Sequence, residues 1–361
     1  NTATDNIVML ANDKNNLGGK LTYVNNKAVI TIGNNLKRAT GLLAMNGGHA
    51  LNSGTIAING ANSQGISVFG LAAGIAATGE NSGTINVSGK ESLGVYNAGT
   101  FGMSSGSIVS GAENSIGVYS DNTVNTTING GNITAKDGGI ALYSGDNSTI
   151  KLSGTGVLKA EAGGLLFYNY VNPSKVVTGK YDITGLATAQ VDRGGMVLYA
   201  DVTGISDIPA AAAAIKGAFS NSSNLTVNMA NGSNIMFIKS PGGTANITDF
   251  SGLPNLKTGF FNFTGTGYYE YVMSGFELTL NNTQESILDS VSTGGSYGKI
   301  QFLDTNVTVN SGITVAGTQT GQVAAAQKNK IGGILAARHI TNNGIISLSG
   351  NQSTGIAGDY I

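Results

Sequence analysis

Gly54-Thr55-Ile56-Ala57-Ile58-Asn59-Gly60 is followed by Gly83-Thr84-Ile85-Asn86-Val87-Ser88-Gly89, a second short run of alternating apolar and small or polar residues bracketed by glycine. Apolar residues at every second position put one face of a segment against a core and the other in water, which is the period of a β-strand. A weaker copy reads Gly106-Ser107-Ile108-Val109-Ser110-Gly111, and Gly344-Ile345-Ile346-Ser347-Leu348-Ser349-Gly350 repeats it much later. Gly54 and Gly344 are 290 residues apart, close to twelve periods of 24.

A second motif runs in phase with the first. It combines glycine, branched aliphatics and an aromatic: Gly65-Ile66-Ser67-Val68-Phe69, Leu93-Gly94-Val95-Tyr96, Ile116-Gly117-Val118-Tyr119, Gly139-Ile140-Ala141-Leu142-Tyr143, Gly164-Leu165-Leu166-Phe167-Tyr168 and Gly195-Met196-Val197-Leu198-Tyr199. Its aromatics are spaced 27, 23, 24, 25 and 31 residues apart, and a degenerate copy, Gly41-Leu42-Leu43-Ala44-Met45, precedes them. A third short apolar pair, such as Ile150 and Leu152 around Lys151, fills the remainder of the period.

Three short strands per period cannot bury their own inner face, so each unit must stack on its neighbours. The fold expected is all-β: a parallel β-helix of ~24-residue, three-strand coils, carrying a few loop or short-helix insertions. About 15 coils at the ~4.8 Å strand spacing would reach roughly 70 Å. The division expected is regular coils over 1–199, coils with irregular insertions over 200–330, and regular coils over 331–361 that continue into a longer chain.

The composition agrees with stacking. Glycine supplies 55 of 361 residues and charged residues only 11%. Tight corners ask for left-handed or crowded backbone, which glycine meets best and asparagine next. Like charges stacked at the strand spacing repel, whereas Ser, Thr and Asn hydrogen-bond along the stack. A net charge of −1 with no basic run argues against nucleic acid as a partner. The absence of cysteine excludes disulfides, thiol catalysis and Cys-type zinc sites. No uninterrupted apolar run of ~18 residues is present, so no helical membrane span is expected.

The pattern blurs from about 200 to 330. Asp207-Ile208-Pro209, Ala210 to Ala214, Ile215, Lys216 and Gly217 predict one short helix with proline in its first turn. Aromatics then concentrate at Phe250, Phe260, Phe261, Phe263, Tyr268, Tyr269, Tyr271 and Phe276. Strand alternation places Phe260 opposite Phe261 and Tyr268 opposite Tyr269 and Tyr271, so some of these face outward. Exposed tyrosine suits binding by its large amphipathic area. Phe260, Tyr268, Tyr269 and Tyr271 are therefore the candidate binding residues, against the alternative of an aromatic stack filling a wider coil. A further departure over 318–330 is expected to form a brief helix or a loop off the coils.

Catalytic signatures are weak. Carboxylates are scattered, with Asp192, Asp201 and Asp207 the densest group, and Asp192-Arg193 reads as a surface ion pair. His49 and His339 lie 290 residues apart, and each is expected to face solvent. Gly102-Met103-Ser104-Ser105-Gly106 fits a nucleophile-elbow pattern but lacks the strand-to-helix turn that the elbow needs. No enzyme activity, metal or cofactor is expected.

The coils of 81–89 and the run Ser115-Ile116-Gly117-Val118-Tyr119 resemble the passenger domains of bacterial autotransporters, above all the large adhesins of fusobacteria. The resemblance is best over 41–199 and 331–361. It implies a right-handed β-helix on the outer surface of a Gram-negative bacterium, exported through a β-barrel that lies in a further C-terminal part. It also implies adhesion to host-cell receptors, glycans or other bacteria. A carbohydrate-active β-helix enzyme and a passive spacer that displays a binding domain elsewhere are the alternatives.

Overall fold

The computed structural model describes residues 3–13, 22–69, 76–123, 125–171, 174, 176–185, 187–245, 252–265, 267–281, 284–285, 298–318, 331–349 and 353–358. They form parallel sheets in which strands distant in sequence pair in register, as a parallel β-helix requires. Two compact units result: Asn1–Asn169 with Thr178–Val191 and Ala218–Val227, and Tyr170–Val177 with Asp192–Gly217 and Asn228–Ile361. The sequence divisions at 199 and 330 follow the clarity of the repeat, whereas compactness divides the chain at other places.

In the first unit each coil contributes three strands in a fixed order. The coil His49–Asn52, Thr55–Ile58, Gln64–Phe69 is followed by Thr78–Asn81, Thr84–Val87, Leu93–Ala98. The aromatic-motif strands stack on one another as face I, the alternating strands as face II, and the third strands as an eight-stranded face III. Ile56 pairs with Ile85, Ile85 with Ile108 and Ile108 with Ile133, all fully buried. Inward positions thus form apolar columns, each branched side chain contributing about 1.5–3 kcal/mol on burial. Ile150 and Leu152 point inward and Lys151 outward, as expected.

Corners explain the residue usage. The residue two positions before face I begins has positive φ in successive coils: Asn62, Glu91, Asn114, Gly138 and Gly163. Glu91 lies outside the Gly/Asn rule, at a conformational cost of roughly 1–2 kcal/mol. Inside the corners polar side chains pair along the stack. Asn26 Nδ2 donates to Asn52 Oδ1 and Asn52 Nδ2 to Asn81 Oδ1, both at 2.8 Å. The Ala39 amide donates to Ser63 Oγ at 3.1 Å and the Ser63 amide to Ser92 Oγ at 3.0 Å. All five of these side chains are buried, and the ladders spare them the ~1–3 kcal/mol penalty of an unpaired polar group.

The second unit keeps parallel pairing. Met196–Asp201 pairs with Asn234–Ala245, which pairs with Tyr269–Leu280, and the latter pairs with both Gly298–Leu303 and Asn306–Val309. The helix expected at 208–217 is present as Ile208–Gly217. The Ala210 amide donates to the Asp207 carboxylate at 3.1 Å at the helix start, and Ile208, Ala211, Ala212 and Ile215 are buried. The expected helix or loop over 318–330 lies, beyond Thr318, outside the described residues.

Candidate functional site

Burial withdraws three of the four aromatic candidates. Tyr271 is 0% exposed, Phe260 3% and Tyr268 8%; Tyr269 alone is half-buried. Strand alternation misassigned Phe260 because Phe260 and Phe261 precede the strand Asn262–Gly265, in an irregular segment where successive rings turn the same way, and it misassigned Tyr271 because Glu270 to Met273 of the strand Tyr269–Leu280 are covered on both faces. Their centroids are 3.9 Å apart, and Phe263 joins them at 5.8 Å from Phe261. Lys216 of the helix stands 5.9 Å over the Phe260 ring and donates to the Asn255 carbonyl at 3.1 Å. The Tyr271 hydroxyl donates to the Pro254 carbonyl. Burial, with a smaller contribution from the Glu270 carboxylate, pushes its pKa above the tyrosine range. This cluster fastens the insertion to its own unit, so it is core.

A column of outward aromatics lies instead on regular coils. Tyr96, Tyr119, Tyr143 and Tyr168 occupy one register column on the outside of face I, each half-buried. Ring centroids are 5.7, 4.9 and 4.6 Å apart in turn, and Phe69 closes the lower end at 5.1 Å from Tyr96. Phe69 is not in register with the tyrosines. It pairs with Ala98, and Ser67 stands opposite Tyr96. The Tyr96 hydroxyl donates to Asp121 Oδ2 at 2.7 Å; partial burial first and this hydrogen bond second raise its pKa above the ordinary value. Tyr119 is raised chiefly by burial, and by the charges of Asp121 and Asp146.

Face III carries the second feature, a groove of about 660 Å³ on the outside of the first unit. Its walls include His49, Thr78, Glu80, Thr100, Ser104, Thr127 and Asn129. Outward positions 80, 102 and 127 are register partners on successive coils, and the middle one is Gly102. A Cβ at Gly102 would meet nothing within 4 Å, so glycine opens this gap without being required by the backbone. His49 Nε2 lies 3.5 Å from Glu80 Oε1 and makes no hydrogen bond. His49 is therefore partly covered, contrary to the expectation of a solvent-facing side chain, whereas His339 is exposed.

Among the described residues no three His, Asp or Glu side chains converge as a metal site would require. The acidic group read in the sequence has separate local tasks: the Asp201 carboxylate accepts from the Thr203 amide at 2.9 Å, and Asp207 starts the helix. Gly102 and Ser104 belong to a strand and its following corner, with no helix after it, so the nucleophile-elbow pattern has no elbow beneath it. No helix among the described residues is long and apolar enough to cross a membrane. No family model, curated protein or solved structure matches this chain.

Proposed function

We propose that the chain is a binding segment of a bacterial surface adhesin, a stack of β-helical coils that holds contact residues at a fixed spacing toward a host-cell receptor, a host glycan or another bacterium. The observation that carries this reading is the tyrosine column of face I. The coil does not need an aromatic at that position, since Leu43 and Ser67 fill it in neighbouring coils. Four consecutive tyrosines nonetheless stand there, half-exposed, over three coil rises or roughly 14 Å. Tyrosine at such positions offers large contact area with little side-chain entropy to lose, the property that enriches it at binding hot spots.

The test replaces Tyr119 and Tyr143 together by serine, the residue already present at position 67, and measures adhesion of particles coated with the folded chain to host cells and to other bacteria. Loss of adhesion with an unchanged far-ultraviolet spectrum supports the reading. Undiminished adhesion removes the column, and no adhesion by the wild-type chain favours the spacer alternative. Export to the outer surface through a C-terminal β-barrel belongs to the same proposal and rests on the coil resemblance.

A further inference from the structure

We infer that the face III groove is a saccharide site that takes one neutral pyranose residue, with Glu80 as its principal acceptor. The inference rests on the reading of the chain as a binding module, but on different residues from the tyrosine column. A groove of about 660 Å³ falls within the range of small-ligand sites. Outward positions Glu80 and Thr127 are separated by two coil rises, roughly 10 Å, and Gly102 between them carries no side chain. That gap admits a pyranose chair lying across the strands.

The lining chemistry selects the ligand class. Hydroxyls of Thr78, Thr100, Ser104 and Thr127 and the amide of Asn129 both donate and accept, as sugar hydroxyls do. Among the described residues Glu80 is the one fixed charge of the lining, and its side chain is 56% exposed, so its carboxylate retains acceptor sites for ligand hydroxyls. His49 lies beside it, with Nε2 3.5 Å from Oε1 and no hydrogen bond between them, so that it limits by contact where the carboxylate can lie and is a positioning residue only. Among the described residues no Lys or Arg lines the groove, the first basic residue along the column being Lys151, one coil beyond Thr127, which disfavours an anionic sugar, and the threonine methyls with the Gly102 backbone leave apolar surface for a ring's C–H face.

The experiment is saturation-transfer NMR on the full chain with the methyl glycosides of glucose, galactose, mannose and N-acetylglucosamine, and with sialic acid as the anionic control. The wild type should bind at least one neutral glycoside with Kd on the order of millimolar, and sialic acid more weakly. Gly102→Val fills the gap at an outward strand position where a Cβ meets nothing, so it should keep the fold and reduce binding more than tenfold. Glu80→Gln, which keeps the shape, should weaken binding by a similar factor. His49→Gln, whose amide nitrogen reaches about where Nε2 stands, should weaken binding less than His49→Ala, and equal losses in the two variants would overturn the positioning role. Absence of binding to every neutral glycoside, preferred binding of sialic acid, or binding that survives Gly102→Val would each overturn the inference. Loss of adhesion in the tyrosine variant together with no sugar binding by the wild type would reject the groove and leave the adhesin reading standing.

Discussion

The Asn52 side chain donates to Asn81 Oδ1 at 2.8 Å and accepts from Asn26 Nδ2 at the same distance, so three buried amides on successive coils form one chain. Asn52 is its middle member and is fully buried. Asn52→Ala removes both ladder hydrogen bonds and a longer one from Nδ2 to the Thr84 carbonyl at 3.4 Å, and leaves both neighbours short of a partner in a place water does not reach. We expect a loss of about 2–4 kcal/mol, read as a lower denaturant midpoint for the first unit. Asn129→Ala, at an exposed corner position, should lie within ~0.5 kcal/mol of wild type. Equal stabilities for the two variants would show that the ladder contributes nothing beyond its occupancy.

Two glycines eight residues apart should respond oppositely to the same change. A Cβ at Gly94 would lie 2.5 Å from the Gly117 carbonyl oxygen of the next coil, a backbone atom that cannot move alone, whereas a Cβ at Gly102 meets nothing within 4 Å. Gly94→Ala should cost several kcal/mol, on the scale of a severe core defect, and reduce soluble yield. Gly102→Ala should be neutral or slightly stabilising, through the smaller entropy of the unfolded chain. Thermal unfolding of the two proteins side by side decides it.

This contrast also marks what was legible in the sequence. The alternation in Thr55–Ile58 and the recurrence at Tyr96, Tyr119 and Tyr143 specify strands and register, because stacking converts a sequence period directly into spatial neighbours. Phe69 shares the period yet sits two positions out of register, a shift invisible in spacing alone because the intervening chain varies in length between coils. The helix at 208–217 was readable from local propensity and its proline. Phe260, Tyr268 and Tyr271 are covered where tertiary packing around an irregular segment, not strand parity, determines which ring meets water, and Tyr269 alone of the four stays half-buried. The groove depends on a missing side chain at Gly102, and in a chain with 55 glycines a functional glycine carries no distinguishing mark.

Tyr181 predicts an alkaline limit to stability. Its fully buried phenol donates to the Tyr168 carbonyl at 2.8 Å and accepts from the Ser144 amide at 3.1 Å, and its ring stacks 4.8 Å from Phe219. Burial raises its pKa well above the ordinary tyrosine value. Below about pH 10 both folded and unfolded states keep the proton, and its stabilising contribution is complete. Above that pH the unfolded state ionises first, so stability falls as pH rises toward the folded pKa, at about 1.4 kcal/mol per pH unit for one such group. Tyr181→Phe should lower stability at pH 8, where the Ser144 amide loses its acceptor, and flatten the decline between pH 10 and 12. A slope identical to that of wild type would show that Tyr181 ionises without unfolding.

The tyrosine column should separate stability from recognition. Tyr119 touches a ring on either side, at 5.7 and 4.9 Å, and such pairs contribute about 0.5–1.5 kcal/mol each beyond burial. Tyr119→Ser should therefore cost roughly 1–3 kcal/mol, while Ser67 shows that the coil closes with serine at this register position. Tyr119→Phe keeps the ring contacts and should leave stability within ~1 kcal/mol of wild type, so any loss of adhesion in that variant is assigned to the hydroxyl. If the column is a contact surface, adhesion falls in the order wild type, Tyr119→Phe, Tyr119→Ser, and further when Tyr143 is changed with it. If the column only braces neighbouring coils, the denaturation midpoint follows that order and adhesion, measured well below the midpoint, does not.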